Sequence, residues 1–501
     1  MNVDVVVVGG GPSGLMTAAE LAAAGVDVVV LERRIEPVGS RAGTILPRVL
    51  ELFDTRNLAQ TFIDRARAIR DNPLVPFHIW AGLQPLDWGH LESRFGYRLI
   101  LPQNITEELL AAHASAQGVR IVRGAVVETV EQFDAGVAVR ARLTDGTEQA
   151  YSARYVVGAD GARSIVRQAA GIEFDGHDAT FTGMVADVVL DFPWDAPRAN
   201  GHNEHGWAAA FPFDETGHIT RFNIVHEQRR HADKSEAVTV AEVHQCVREI
   251  FGESLDFTEL RWGSRYTDET RTASRFRDRR IVLVGESTRV HYPASGVGMN
   301  FCLQDAFNLG WKLAAVINGV AEESLLDTYE AERRPVTEAL LESVAAQCAM
   351  QFDFSPEGLA YRRFFEQRLF PLPEVGRTLV RDLNGLSFPY PREATDHPFV
   401  GERAPDLVLQ TRDGLVRAGE LLRGHEFLLI DCTGENHYDA LKFGRAPVRV
   451  VSGVLAPAPA GLHDVRSLLL RPDSYVAWAD TAVPTPERAA AQIERWLKVE
   501  Q

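Results

Sequence analysis

Residues 3–8 (VDVVVV) form an almost unbroken run of β-branched residues, the pattern of a strand buried on both faces in a parallel sheet. A glycine-dense turn follows, Gly9-Gly10-Gly11-Pro12-Ser13-Gly14. Residues 15–24 then turn to Ala and Leu, which predicts a helix closed by Gly25, and residues 26–31 predict a second buried strand ending at Glu32. Buried strand, glycine turn and helix recur twice more. Residues 155–157 run into Asp160-Gly161 ahead of a helix near Arg163. Residues 281–284 run into Gly285-Glu286, then a loop containing Pro293, Gly296 and Gly298, then a long helix opened by Met299. Elsewhere the period changes: residues 137–143 alternate apolar with polar, and Asp145-Gly146 supplies their hairpin turn.

The remaining segments complete an α/β plus α+β chain. Helices are expected over 47–57, within 99–119 with Asn104 or Thr106 as cap, and over 236–250 with Ser235 as cap. Strands are expected over 184–190, 206–213 and 219–225, and 325–347 reads as an amphipathic helix. A Rossmann-like nucleotide-binding domain (1–71, 99–172 and 271–348) is thereby interrupted by a mostly antiparallel β domain (72–98 and 173–270). A helical linker (349–400) and a C-terminal domain (401–501), with strand-like runs at 426–432 and 448–454 and a charged terminal helix, complete it. Aromatic residues on the interrupting domain, Trp80, Trp207, Phe211 and Phe222, are candidates to line a pocket, although aromatics in strands more often fill cores.

A chain of 501 residues is too long for one core, and 45% hydrophobic with 24% charged residues is ordinary for a globular protein. The net charge of −17 argues against a nucleic-acid partner, which needs clustered Lys and Arg. Cys246, Cys302, Cys348 and Cys432 are scattered, so neither a metal site nor a redox dithiol is expected, and a reduced, cytoplasmic setting fits. No apolar run reaches the roughly eighteen residues of a membrane span, and no leader pattern precedes the first strand.

The first run carries specific chemistry. Gly9 permits a sharp turn, Gly11 lets backbone approach a pyrophosphate, Gly14 lets helix and strand close up, and the helix start, Ser13 included, presents oriented N–H groups. Glu32 can accept ribose hydroxyls. Arg41 can fork onto a phosphate and Gln103 is placed to touch a ligand. The helix after Gly298 directs its positive end at whatever lies on the 293–298 loop.

Together the three runs resemble those of the FAD-dependent aromatic hydroxylases of the p-hydroxybenzoate hydroxylase type, and the full length resembles the subgroup that tailors aromatic polyketides in bacterial biosynthesis. The resemblance implies FAD held by Gly9, Gly11, Ser13, Gly14, Glu32, Arg33, Arg41, Gln103, Asp160 and Gly161, with Glu286, Pro293, Gly296, Gly298, Met299 and Asn300 around the flavin. It implies NADPH or NADH as a visiting reductant, O2 as co-substrate, a flavin C4a-hydroperoxide as the oxidant, a polycyclic aromatic polyketide as substrate and a thioredoxin-like C-terminal domain used for packing or homodimer formation. Several positions depart from the pattern. Glu286 replaces an Asp, Arg289 a His, Ser295 a Gly and Val297 a Gln, while His291 matches a second histidine of the subgroup and is the candidate for proton transfer. Baeyer–Villiger oxidation by the same flavin, and a non-catalytic flavoprotein, stand as alternatives.

Overall fold

The computed structural model describes residues 1–36, 42–83, 86–89, 91–190, 200–212, 218–252 and 257–498. The chain opens with β1 (Asn2–Val8), α1 (Pro12–Ala23) and β2 (Val28–Glu32). After a short three-stranded sheet that pairs Thr44–Ile45, Leu74–Val75 and Arg98–Ile100, it continues with α2 (Gln103–Ala116), β3 (Arg120–Arg123), β4 (Ala125–Gln132), β5 (Val137–Leu143) and β6 (Glu148–Gly158). Val5, Val6 and Val7 have no exposed surface, as a strand covered on both faces requires. The α2 helix starts one residue before Asn104 and has no side-chain cap; Thr106 lies inside it, fully buried.

A second unit is a five-stranded antiparallel sheet: β7 (Thr182–Leu190), β8 (Asn200–Asn203), β9 (Gly206–Pro212), β10 (Ile219–His226) and β11 (Phe257–Thr267), ordered β8–β9–β10–β7–β11. Its helix α3 (Val240–Phe251) is capped by Thr239, whose hydroxyl accepts from the Glu242 N–H. Ser235 is spent instead on a turn with Asp233, so the expected helix start was four residues early. Phe213, the last residue of one expected strand, lies outside the described residues.

The chain then returns to the first sheet with β12 (Ile281–Leu283), giving a parallel core in the order β12–β6–β1–β2–β3. Two long helices follow, α4 (Gly298–Ile317) and α5 (Asp327–Phe352), then α6 (Pro356–Phe364). Gly310 of α4 faces α1 so closely that a Cβ there would lie 2.4 Å from Glu20 Cβ. The C-terminal unit is a four-stranded mixed sheet of β13 (Phe427–Asp431), β14 (Val448–Ser452), β15 (Ser467–Leu470) and β16 (Val476–Asp480), with α7 (Pro486–Glu494).

This last unit is joined to the first by buried charge. Glu332 accepts from Lys312 Nζ at 2.7 Å and from Arg471 Nη1 and Nη2 at 2.7 and 2.9 Å. Burial alone would raise its carboxyl pKa, but Arg471 and Lys312 outweigh burial and hold it at about 2. A carboxyl lowered on folding contributes stability above its unfolded value of 4.5 and loses it as pH falls toward 2. Thermal unfolding of wild type should therefore lose Tm steeply across that acid window. In Glu332→Gln the curve should start lower and be flatter there; an equally steep loss in both proteins would show that the pair does not govern acid stability.

Candidate functional site

Three glycine turns meet because β12, β6 and β1 are adjacent and parallel, so their carboxyl ends open on one edge, where α/β sheets bind ligands. Gly9 has φ +107°, and a Cβ on it would lie 2.3 Å from the Ala159 carbonyl oxygen in the neighbouring turn. Gly14 presses on Gly9 in the same way, whereas the Cβ position of Gly11 faces open space, which leaves its backbone accessible to a ligand. Gly285 has φ +68°, and its Cβ position is 2.6 Å from Ser13 Oγ, locking the third turn onto the first. Gly161 faces Glu286, with 3.9 Å between its Cβ position and Glu286 Oε2.

Both helices that start on this edge have free first turns. The caps of α1 and α4, Gly11 and Val297, make no side-chain capping bond, and neither first turn holds an acid. Such ends leave N–H groups and dipole for an anionic or electron-rich group.

Glu32 ends β2, buried. Its Oε2 accepts from the Gly10 N–H at 2.6 Å, and its Oε1 from the Arg34 N–H at 2.8 Å and Arg34 Nε at 2.9 Å. Burial would raise its pKa, but the Arg34 bonds lead a set that lowers it, so Glu32 is an ionised acceptor with a lone pair left on Oε2. Arg34, rather than Arg33, is the paired cation: it also lies 3.7 Å from Glu107, whereas Arg33 is exposed. The alternation of side chains at a strand end was the signal that separates the two. Arg41 lies outside the described residues. Gln103 accepts from the Ala42 N–H at 3.2 Å and donates to Glu107 at 2.8 Å, bridging the loop after β2 to α2.

Asp160 caps the following helix through Oδ2, which accepts from the N–H groups of Ile165 and Val166 at 2.7 and 3.3 Å. Its Oδ1 is buried with no protein donor, and burial raises the carboxyl pKa. That orphaned acceptor fits a hydroxyl-bearing ligand, so the cradle and its donor set suit the dinucleotide the motif implies.

On the α4 side, Asn300 is fully buried. It accepts from the Leu46 N–H at 2.7 Å and donates to the Thr44 carbonyl at 3.1 Å, so its side chain fastens the helix start to a neighbouring strand. Met299 is buried, while Pro293, Gly296 and Glu286 are exposed along the edge and Gly298 is partly exposed. His291 Nδ1 lies 2.7 Å from the Tyr292 carbonyl oxygen, to which it can only donate, leaving Nε2 as an acceptor. Burial, with Arg289 nearby, lowers its pKa to about 4, so it is neutral and only weakly basic near pH 7. Arg289 itself is fully engaged in the core, 2.7 Å from Asp305.

The aromatic candidates separate by strand alternation. Trp207, Ala209 and Val225 lie on one face of the antiparallel sheet, in an apolar cluster with Trp80, Phe181, Tyr292, Val297 and Phe352 that abuts the 292–297 segment and the first turn of α4. Phe222 points the other way, into the core against Val243 and Val247 of α3, and is fully buried. Its assignment to a pocket is corrected accordingly: residues 221 and 223 share the inner face and 222 cannot. Phe211 has the parity of Trp207 but is 37% exposed at the open end. Trp80 stacks on Phe365 at 5.8 Å. The indole N–H groups of Trp88 and Trp207 are buried without an acceptor.

Among the described residues no cluster of His, Cys, Asp and Glu could hold a metal, and no helix is long and apolar enough to cross a membrane. A surface hollow of about 620 Å³, lined by Thr433, His437 and Arg466, lies in the C-terminal unit, away from this edge.

Comparison with known proteins points the same way. Residues 2–344 match the family described as FAD binding domain, and residues 397–498 the family described as aromatic-ring hydroxylase, C-terminal. The chain is 36% identical over 499 residues to the 12-dehydrotetracycline 5-monooxygenase/anhydrotetracycline 6-monooxygenase of Streptomyces rimosus, covering 97% of this chain and 96% of that one. Among solved structures, the OxyS anhydrotetracycline hydroxylase from Streptomyces rimosus superposes with a TM-score of 0.87 at 33% identity, over 99% of both chains. CabE, an aromatic hydroxylase from angucycline biosynthesis, gives 0.87 at 32% identity, over 98% of this chain and 99% of its own.

Proposed function

Since this chain belongs to the FAD-dependent aromatic-ring hydroxylases, we propose that it is an NAD(P)H-consuming monooxygenase that hydroxylates a polycyclic aromatic polyketide. The observation that carries the reading is the meeting of three strand-end turns and two uncapped helix starts beside an apolar, aromatic sheet face. Bound FAD, reduced by NAD(P)H, would supply the O2 activation and oxygen transfer that protein side chains cannot. Glu32 would hold the adenosine ribose, and the Gly9 to Gly14 backbone the pyrophosphate. Arg33, Arg41 and Gln103 are proposed as further contacts. Glu286 would accept hydroxyls of the ribityl chain, and the Asp160-Gly161 turn, whose Gly161 faces Glu286, would lie near the diphosphate. The first turn of α4, from Gly298 to Asn300, would stabilise negative charge on the ring's pyrimidine edge, with Pro293 and Gly296 shaping the approach. The aromatic face excludes water, and the orphaned Trp88 and Trp207 donors suit a substrate carrying carbonyl or hydroxyl oxygens. His291, neutral with Nε2 as acceptor, would receive a hydrogen bond rather than act as a strong base.

The first test is flavin content. The purified protein should take up one FAD, consume NAD(P)H faster with polycyclic phenols, and yield a product heavier by one oxygen atom that derives from labelled O2. A protein that stays colourless with added FAD refutes the proposal. Glu286 is exposed and near the turn, so Glu286→Ala should weaken FAD binding about tenfold to a hundredfold, the usual worth of a hydrogen bond to a charged group, while Glu286→Asp should retain most of it. Equal FAD affinity in wild type and Glu286→Ala would remove Glu286 from the site.

A further inference from the structure

Ser295 stands in the flavin-side loop with φ +52°, a left-handed conformation that a non-glycine residue adopts at a cost. Its hydroxyl is shared by two acceptors on different elements, the Ile79 carbonyl at 2.9 Å and Gln347 Oε1 at 2.8 Å. Gln347, in α5, is 2% exposed, and the same Oε1 accepts from the Ala81 N–H at 3.2 Å. The segment it grips is also left-handed, at Ala81 (φ +49°) and Gly82 (φ +62°). That segment is held from the far side by Arg362, which donates to the Ala81 and Gly82 carbonyls at 2.7 Å each. Gly82 in turn packs against the inner face of the antiparallel sheet, its Cβ position 2.4 Å from Trp207 Nε1.

We propose that Ser295 and Gln347 are positioning residues: a latch that fixes the flavin-side loop to the Ile79–Gly82 segment and, through it, to the aromatic sheet face. The latch gives the loop one shape before cofactor binds and couples the cofactor side of the site to the substrate side. Two strained stretches facing one another through a buried amide would relax independently without it, since Ser295 breaks the helical geometry of its own single turn, Ala294–Gly296, and residues 79–82 belong to no helix or strand. The inference rests on the FAD reading above.

The test uses the full-length protein. Amide hydrogen exchange is followed over 292–298 and 79–82 in the FAD-free protein, and FAD affinity by flavin fluorescence titration. Ser295→Ala keeps the Cβ and the backbone conformation and removes only the hydroxyl; Gln347→Leu removes the shared acceptor. Each should speed exchange in both segments about tenfold and weaken FAD binding about tenfold, the worth of one net hydrogen bond. The double variant should be no worse than the more severe single. Faster exchange confined to one segment, or unaltered FAD affinity in both variants, overturns the latch. Wild type that binds no FAD overturns the functional reading instead, and the two-segment exchange pattern still decides the latch.

Discussion

Asp305→Ala is expected to destabilise the protein by about 3–5 kcal/mol, the cost of leaving buried charge without its partner. Asp305 of α4 is 1% exposed and holds two guanidiniums, Arg289 Nη1 at 2.7 Å through one oxygen and Arg333 Nε at 2.7 Å through the other. Both arginines are equally buried, and neither can shed its proton to escape. Burial acts to lower the pKa of Arg289, but Asp305 more than offsets it and the net shift is upward. The other partners of these arginines, Thr288, Thr337 and Cys302 for Arg289 and the Tyr390 hydroxyl for Arg333, are neutral and cannot replace a carboxylate. Asp305→Asn should fall between wild type and Asp305→Ala. The check is thermal unfolding beside a surface control, Asp413→Ala, whose side chain is 86% exposed. A Tm for Asp305→Ala equal to that of the control would mean that the triad is not stabilising.

Gly14→Ala is expected to abolish FAD retention and to lower stability with it. The added Cβ would lie 2.1 Å from the Gly9 carbonyl oxygen and 3.0 Å from Ala159 Cβ. The first is backbone in a turn that already presses on its neighbour, so no side-chain rotation relieves the clash. The start of α1 must move away from β1, carrying with it the N–H groups that would meet the pyrophosphate. Gly11→Ala is the informative companion, because its Cβ position meets no protein atom. It should fold like wild type and lose only affinity, since the methyl occupies space meant for ligand. Measured flavin-to-protein ratio and Tm distinguish the two; near-stoichiometric flavin in Gly14→Ala would contradict the close packing.

The triad also explains a departure that looked unfavourable in the linear chain. Where the resembled family pattern has a histidine, Arg289 introduces a permanent charge, and only the fold shows that Asp305, sixteen residues on, holds it while also holding Arg333 through its other oxygen. Ser295 has a similar history. A residue with a Cβ stands in a left-handed position where the resembled pattern has glycine, and its hydroxyl is bonded to residues far away in sequence.

What the linear order determined is what local chemistry can encode. The β-branched run at 3–8, the Gly9 to Gly14 turn and Glu32 at the second strand's end need only neighbours within about thirty residues to be recognised as a nucleotide-binding unit, because turn, helix start and strand end are each local events. The third run identified itself for the same reason. Tertiary structure decided what depends on residues remote in sequence. Strand order set the Gly161 turn against Glu286, with 3.9 Å between the Cβ position of Gly161 and Glu286 Oε2. Side-chain alternation in paired strands sent Trp207 to the sheet face beside Tyr292 and Val297 and Phe222 to the core against α3, a difference that composition cannot register because both are aromatic residues in strands. Local geometry chose Thr239 over Ser235 as a helix cap. In these last two cases chemically similar residues competed for one role, and geometry rather than residue type selected between them.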